Sequence, residues 1–521
     1  METTRRGILK GIVATGIAAS MPTLAKNTST ANTSTNIKEI SSRPNLLIVF
    51  PDEMRTQSMQ FMGEDPSLTP YLNQFAKQSV VLTENVANYP LCSPFRGTML
   101  TGKYPISHGI TGNCNGKDDG NSEVFAGSDF GHDLKENETC WSDILKENGY
   151  SLGYIGKWHM DSPSGNIPDV DGSYRRDQRY WNDWTAPERR HGFDFWYAYG
   201  TGPSYEHPIY WTNETPRDKP IQINQWSPEH ETDIALKFIA NEGGKLREND
   251  KPFALVVSMV PPHSPYNMTP KKNLDRFAGK TSKEMNNRPN VNWNKKWPKH
   301  SGPKHFKSYM AMVNSIDEQF GRMLDQLDQQ GLADNTLVVF MSDHGSCMGS
   351  HGVATKNVIY EESIRTPMLM RLPNKLKPKF DNMLFSSGDI CPTMLGLLDL
   401  EDHIPDSVEG TNFAKHLMGT AQQPLPTSQP YIYIPYGATA FGRRGVRTER
   451  YTLQIERRAG KPLKYSLWDR YNDKYQMKNI ASHNMDLVEH LIHSELLPWL
   501  EKTNDPWRPT EVPASVLKGM S

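Results

Sequence analysis

Five cysteines in 521 residues are too few for a disulfide scaffold. Net charge is almost absent too: 58 Lys and Arg stand against 59 Asp and Glu, a formal −1. A chain without a surplus of either sign is not built to bind nucleic acid or an anionic membrane over its whole surface, although a local patch stays open to it. Beyond the N-terminus there is no run of about 18 or more apolar residues, so no membrane span is expected and the processed chain should be soluble. Apolar residues make up 36% of the chain. That is below the roughly 45–50% of globular chains, a figure that includes Gly, and it implies a folded protein with a polar surface.

What is present begins with an address. Residues 4–10 (TRRGILK) precede an uncharged stretch that runs to Ala25. Paired arginines before a short, mild apolar region resemble a bacterial twin-arginine export signal. Residues 1–25 are therefore expected to be removed on export, leaving the protein periplasmic or secreted. Residues 26–42 are rich in Ser, Thr and Asn and read as a flexible linker.

From Asn45 onward short apolar runs alternate with helical patterns. Residues 46–50, 150–155, 253–260 and 337–341 read as buried strands. Thr69-Pro70 opens a helix, and residues 141–148 form another that stops at Gly149. Met312, Val313, Ile316, Phe320, Met323, Leu324 and Leu327 recur at helical spacing, closed by Gly331. The alternation predicts an α/β fold, a large mostly parallel sheet flanked by helices, over residues 43–424. After about residue 425 short strands at 431–434, 451–455 and 465–468 precede an apolar helix at 487–500, which predicts a smaller α+β subdomain over 425–521.

Ligands of open α/β sheets sit beyond the carboxyl ends of the strands. Asp52 and Glu53 follow the first strand, Lys157 and His159 the second, His263 the third, and Asp343 and His344 the fourth. One such residue is usually a turn or a cap; four strand ends together point to a site. Asp52, Glu53 and Asp343 are hard oxygen donors suited to calcium or magnesium, and His344 is a less usual companion for calcium.

The segment from Cys92 to Lys103 (CSPFRGTMLTGK) is the most specific signal. Pro94 suits a first helical turn, which sets Cys92 at a helix N-terminus, where free N–H groups favour an anion; Arg96 adds a cation. Chemistry alone leaves a thiolate nucleophile and a buried structural thiol both open.

This segment resembles the signature of the formylglycine-dependent sulfatases, within the alkaline-phosphatase-like superfamily: Cys-x-Pro-x-Arg, three more residues, then Leu-Thr-Gly. Further matching pieces are TPYLNQF at 69–75, GKWH at 156–159, HGFDF at 191–195, PPHSPY at 261–266, SDHG at 342–345, KNVIYEESIRTP at 356–367 and VRTERY at 446–451. The resemblance implies that a separate maturase oxidises Cys92 to formylglycine (3-oxoalanine). Its hydrated aldehyde attacks sulfur through one oxygen and expels sulfate through the other. Asp52, Glu53, Asp343 and His344 would hold a divalent metal, calcium first, with magnesium or manganese as alternatives. Arg96 and His159 would orient the formylglycine, Lys157 and Lys356 would bind sulfate oxygens, and His263 would protonate the leaving alcohol. Many family members carry Asp where this chain has Glu53 and Asn where it has His344, which leaves the metal's identity open.

Residues 268–305 hold ten Lys or Arg against Asp275 and Glu284, with Trp293 and Trp297 among them. Positive charge attracts a polyanion, and indole faces stack on sugar rings. Tyr174-Arg175-Arg176 through Trp181 and Trp184, and Arg443-Arg444, have similar chemistry. With an export signal these favour a sulfated polysaccharide or oligosaccharide as substrate. A Cys114–Cys140 disulfide is compatible with an oxidising periplasm, as are unpaired thiols. The rival readings are a phosphodiesterase or phosphonate hydrolase of the same fold, and a catalytically silent protein that binds sulfated glycans. The sequence is silent on oligomeric state.

Overall fold

The computed structural model describes residues 43–114, 133–163, 182–202, 204–435 and 438–509. The expected export signal, the linker and the Tyr174–Trp181 part of the basic aromatic cluster lie outside these residues.

The apolar run NLLIVF forms β1 (Asn45–Asp52), and every residue of it is buried. Its side chains alternate between two cores: Leu46, Ile48 and Phe50 enter one, Leu47 and Val49 the other. A strand apolar on both faces belongs inside a sheet covered on both sides. That sheet has ten strands, in the order β10-β2-β9-β8-β1-β7-β3-β4-β5-β6. They are β2 (Val80–Leu82), β3 (Ser151–Lys157), β4 (Phe195–Tyr199), β5 (Ile209–Thr212), β6 (Ile221–Gln222), β7 (Phe253–Pro262), β8 (Thr336–Met341), β9 (Met368–Arg371) and β10 (Lys379–Asp381). β8, β1, β7 and β3 are contiguous and mutually parallel. β9 runs against β8 and β2, and β5 against β4.

One core packs the sheet against the Cys92–Thr101, Trp141–Glu147 and Ile390–Leu397 helices. The other packs it against the Ser227–Ala240 and Phe306–Gln329 helices. The latter begins six residues before the apolar pattern does and buries Phe306, Tyr309 and Met310 in its first turns. Gly331 takes a positive φ of 65°, so glycine's freedom closes the C-terminal turn.

A second sheet is antiparallel: β11 (Ser428–Tyr433), β12 (Gly442–Thr448), β13 (Tyr451–Arg457) and β14 (Lys464–Asp469). Helical turns from Met485 to Lys502 cover it, and Val446, Leu453, Ile455 and Leu467 pack against Val488, Leu491 and Leu500. This is the smaller C-terminal subdomain. All five cysteines are buried free thiols, so Cys114 and Cys140 are not joined.

Candidate active site

Because β8, β1, β7 and β3 are adjacent and parallel, their C-terminal ends open on one sheet edge. β1 leaves its partner register between Pro51 and Asp52, and Glu53 adopts a positive φ of 69°. This local break turns two successive carboxylates into the edge. Tyr309 fixes the bend, donating its hydroxyl to the Glu53 carbonyl at 2.9 Å and accepting Arg55 N–H at 3.0 Å. The Glu53 N–H donates to Asp343 Oδ1 at 2.9 Å, which ties the ends of β1 and β8 together.

Cys92 is the first residue of its helix. Its Sγ lies 3.4 Å from His344 Nε2, 3.3 Å from Lys356 Nζ and 3.7 Å from Asp52 Oδ1. Lys157 Nζ donates to Asp52 Oδ2 at 2.7 Å, and Lys356 Nζ to Glu53 Oε2 at 3.2 Å. Arg96 lies beneath, over the ring of Phe50. One nitrogen donates to the Lys157 carbonyl and Ser258 Oγ; the other lies 3.4 Å from Asp52 and 3.6 Å from Asp343. His159 is buried at a positive φ of 56°, and its carbonyl accepts the Ser93 hydroxyl. The structure therefore gathers Asp52, Glu53, Cys92, Arg96, Lys157, His159, His263, Asp343, His344 and Lys356 at one place.

Burial and the Asp52 carboxylate push the Cys92 thiol up, but Lys157, Lys356 and His344 outweigh them and its pKa is lowered. Burial likewise opposes ionisation of Asp52, yet the same lysines hold it well below the usual carboxylate range. The position thus favours an anion, the environment a nucleophile or a sulfate group requires.

The donor set fits a divalent cation. Asp343 Oδ2 is buried with no hydrogen-bond donor on it among the described residues. His344 turns Nδ1 to the Gly345 carbonyl, which leaves Nε2 for the cluster. Ligand atoms of Asp52, Cys92, Asp343 and His344 lie within 4.8 Å of one another, as do those of Asp52, Glu53 and His263. Three buried carboxylates packed together are costly unless cations offset them.

A cavity of about 370 Å³ opens above Cys92, lined also by Asn113, Lys157, His159, Thr201, Tyr205, His263, Ser264 and Lys356. His263 Nδ1 donates to the Ser264 carbonyl at 2.6 Å, and Nε2 faces Glu53 Oε2 at 3.3 Å. The Tyr205 hydroxyl reaches the carbonyls of His263 and Ser264 at 3.0 and 2.7 Å and so holds that turn. Ser346 donates to Glu53 Oε1 at 2.9 Å. Asn113 Oδ1 accepts the Ser93 N–H at 3.2 Å. Sequence reasoning missed Tyr205, Tyr309, Asn113 and Ser346. Ser346 follows the SDHG motif directly; the others carry no local signal.

The outlying candidates separate. Trp293 lines a second cavity with His351. Trp297 is folded back on the chain: a Cβ at Gly302 would meet its ring at 2.6 Å, and its Nε1 donates to the Asn292 carbonyl. Arg443 pairs with Glu456 and reaches the Asn357 carbonyl, next to Lys356. Arg444 does not face a ligand. It is 1% exposed and bound to Asp505 and the Tyr433 and Phe441 carbonyls, because β12 turns it inward.

A cysteine at a helix start, facing convergent carboxylates and two lysines at the edge of a mostly parallel sheet, is an arrangement suited to metal-assisted ester hydrolysis. The comparisons narrow this. The sulfatase family model matches residues 44–400, and the model of the N-sulphoglucosamine sulphohydrolase C-terminal region matches 349–502. The endo-4-O-sulfatase of Bacteroides thetaiotaomicron is 36% identical over 506 residues, covering 90% of this chain and 94% of its own. The ulvan-active sulfatase of Formosa agariphila is 31% identical over 454 residues, covering 84% and 77%. A solved structure from work on glycosaminoglycan metabolism by Bacteroides thetaiotaomicron superposes with a TM-score of 0.80 at 35% identity, covering 89% of this chain and 97% of that one. The chain belongs to the sulfatase family.

Proposed function

We propose that this chain is an exported sulfatase that hydrolyses sulfate esters on a sulfated polysaccharide or its oligosaccharides. Cys92 is read as the precursor of formylglycine, made by a separate maturase. Calcium is the first choice for the metal at Asp52, Glu53, Asp343 and His344. The observation that carries the reading is Cys92 at the first position of its helix, within 3.3–3.7 Å of Lys356, His344 and Asp52. The names of the relatives, an endo-4-O-sulfatase and an ulvan-active sulfatase, support a polymeric substrate. The twin-arginine-like segment supports export to the periplasm or beyond.

The aldehyde of formylglycine supplies a hydratable carbon whose oxygen is the nucleophile, and the cation neutralises charge on the sulfuryl oxygens. The chain's own groups do the rest. Lys157 and Lys356 bring ammonium groups to the sulfate oxygens. Arg96 fixes Asp52 and Asp343 from below. His263 presents Nε2 to the cavity because Nδ1 is held by Ser264. Burial and Lys356 depress its pKa, against the pull of Glu53. An anionic sulfate ester beside the ring would raise it again, so the proton is drawn in with the substrate. A sugar alkoxide leaves poorly and needs that proton.

Protein co-expressed with a maturase should release sulfate, read by ion chromatography, from at least one member of a panel of glycosaminoglycans and ulvans. Peptide mass spectrometry should show the residue 92 thiol replaced by an aldehyde. Full activity with an unmodified Cys92 would sink the formylglycine reading. Chelation should abolish turnover and added calcium restore it. Phosphodiester or phosphonate cleavage without sulfate release would install the rival hydrolase. Binding of sulfated glycans without turnover by matured, metal-loaded protein would install the silent binder.

A further inference from the structure

A second cavity, of about 510 Å³, lies away from Cys92. Its lining is Lys283, Pro289, Asn290, Val291, Asn292, Trp293, Asn294, His351 and Met477, with no carboxylate among them. The Asn290 amide donates to Glu362 and contacts His351 Nε2, while its buried Oδ1 has no partner among the described residues. His351 is stacked flat on Tyr360 with ring centroids 3.5 Å apart, so that wall is rigid. Trp293 is half-buried and Lys283 exposed.

The two cavities share one structural element. The segment from Ser346 to Lys356 starts and ends at the catalytic cluster: Ser346 Oγ and Lys356 Nζ both bind Glu53. Between them it folds back on itself, with Cys347 N–H on the Thr355 carbonyl and Gly349 N–H on the Val353 carbonyl. Its tip is braced against the basic segment by the Val291–Ser350 bridge, by His351 N–H on the Asn290 carbonyl, and by Lys295 Nζ on the Gly352 carbonyl at 2.6 Å. His351 at the tip and Lys356 at the base are five residues apart, so their backbones are separated by no more than about 18 Å.

Resting on the polysaccharide reading above, we propose that the groove at Trp293, Lys283 and His351 is a distal subsite. It would hold an anionic stretch of the glycan a few sugars from the ester being cleaved. An indole face, amide side chains and an ammonium group, with the nearby Glu362 carboxylate buried behind Asn290 and His351 rather than in the lining, suit a sulfated or carboxylated sugar. The hairpin places this contact at a fixed reach from Lys356, so only substrates long enough to span it benefit.

The test uses full-length matured protein and size-fractionated chondroitin sulfate and ulvan oligosaccharides, from disaccharide to decasaccharide. Trp293→Ala should raise KM on the long chains by about threefold to tenfold, with kcat unchanged. It should leave KM unchanged on the disaccharide. Lys283→Ser, an exposed change that does not threaten folding, should do the same more weakly and lose its effect at high salt. Unchanged kcat on an aryl sulfate reports an intact catalytic centre in both variants. Equal KM for variant and parent at every chain length would overturn the subsite and leave the polysaccharide reading standing. Turnover of aryl sulfates with none of any glycan would overturn both.

Discussion

At the residue scale, the cavity depends on groups that never meet the sulfur. Tyr205 holds the His263–Ser264 turn through two carbonyls. Tyr205→Phe removes the hydroxyl proton shared between the two carbonyls and keeps the ring, so loss of one positioned contact of about 1 kcal/mol should lower kcat on a sugar sulfate by roughly fivefold. An aryl sulfate, whose leaving group needs less protonation, should be hurt less, and His263→Ala should show the same contrast more strongly. Equal losses on the two substrates would remove His263 from the acid role. Glu231 is a different case. It lies buried beneath β3, accepting the hydroxyls of Tyr199 and Tyr210, and burial raises its pKa to about 8. The folded chain keeps this proton between about pH 4.5 and 8 while the unfolded chain releases it, so stability is full below that window and falls as pH rises through it. Glu231→Gln keeps the acceptor and removes the titration. Its melting temperature should gain on the parent between pH 5 and pH 9, by the equivalent of a few kcal/mol. An unchanged difference across that range would show that Glu231 is ionised in the fold.

At the element scale, the site is made by where strands stop. Gly156 has a positive φ of 95°, and a Cβ there would sit 2.1 Å from the Ser258 carbonyl. Only glycine lets β3 approach β7 that closely just before Lys157, and Ser258 in turn holds Arg96. Gly156→Ala should therefore lower both activity and melting temperature, by a few kcal/mol of strain plus displaced backbone. Normal melting and normal sulfate release would show that the sheet absorbs the methyl group. The same scale explains what was legible. β1, β3, β7 and β8 announce themselves as continuous apolar runs because both faces are buried, and their polar terminators mark the site. β2, β9 and β10 are three or four residues long and blend into their loops. β12 is hidden by its own composition: GRRGVRT reads as an exposed basic segment, yet Arg444 and Arg447 are buried with carboxylate partners. Tyr205 and Tyr309 were illegible because each acts across a long sequence gap, through contacts that only the folded chain creates, and Asn113, which reaches back to the Ser93 N–H, lies in a loop with no motif of its own.

At the scale of the whole molecule, the second sheet is joined to the catalytic one by buried charge. Arg447 of β12 is fully buried and gives two hydrogen bonds to Glu361, at 2.7 and 2.9 Å, and another to Glu84. Arg470 reaches the same two carboxylates. Glu84 follows β2, and Glu361 lies five residues after Lys356, so this cluster links the C-terminal subdomain to the segment that carries Lys356 into the Cys92 site. Burial opposes ionisation of Glu361, but Arg447 and Arg470 hold it well below the ordinary carboxylate range. A carboxylate with a depressed folded pKa contributes stability that is present above its unfolded value, near 4.5, and lost as pH falls toward the folded one. Removing one partner of such a buried cluster leaves an uncompensated charge and costs about 3–5 kcal/mol. Arg447→Met should thus lower the urea midpoint strongly at pH 7. The gap to the parent should narrow at pH 4, where the unfolded chain already takes up protons and the cluster is worth less to the parent. With Glu361 loosened, Lys356 should also lose its fixed position, and KM for the sulfate ester should rise in the same variant. A gap of constant size from pH 7 to pH 4 would mean that the cluster is held by packing rather than by charge. An unchanged KM would mean that the subdomain stabilises the catalytic sheet without reaching its chemistry.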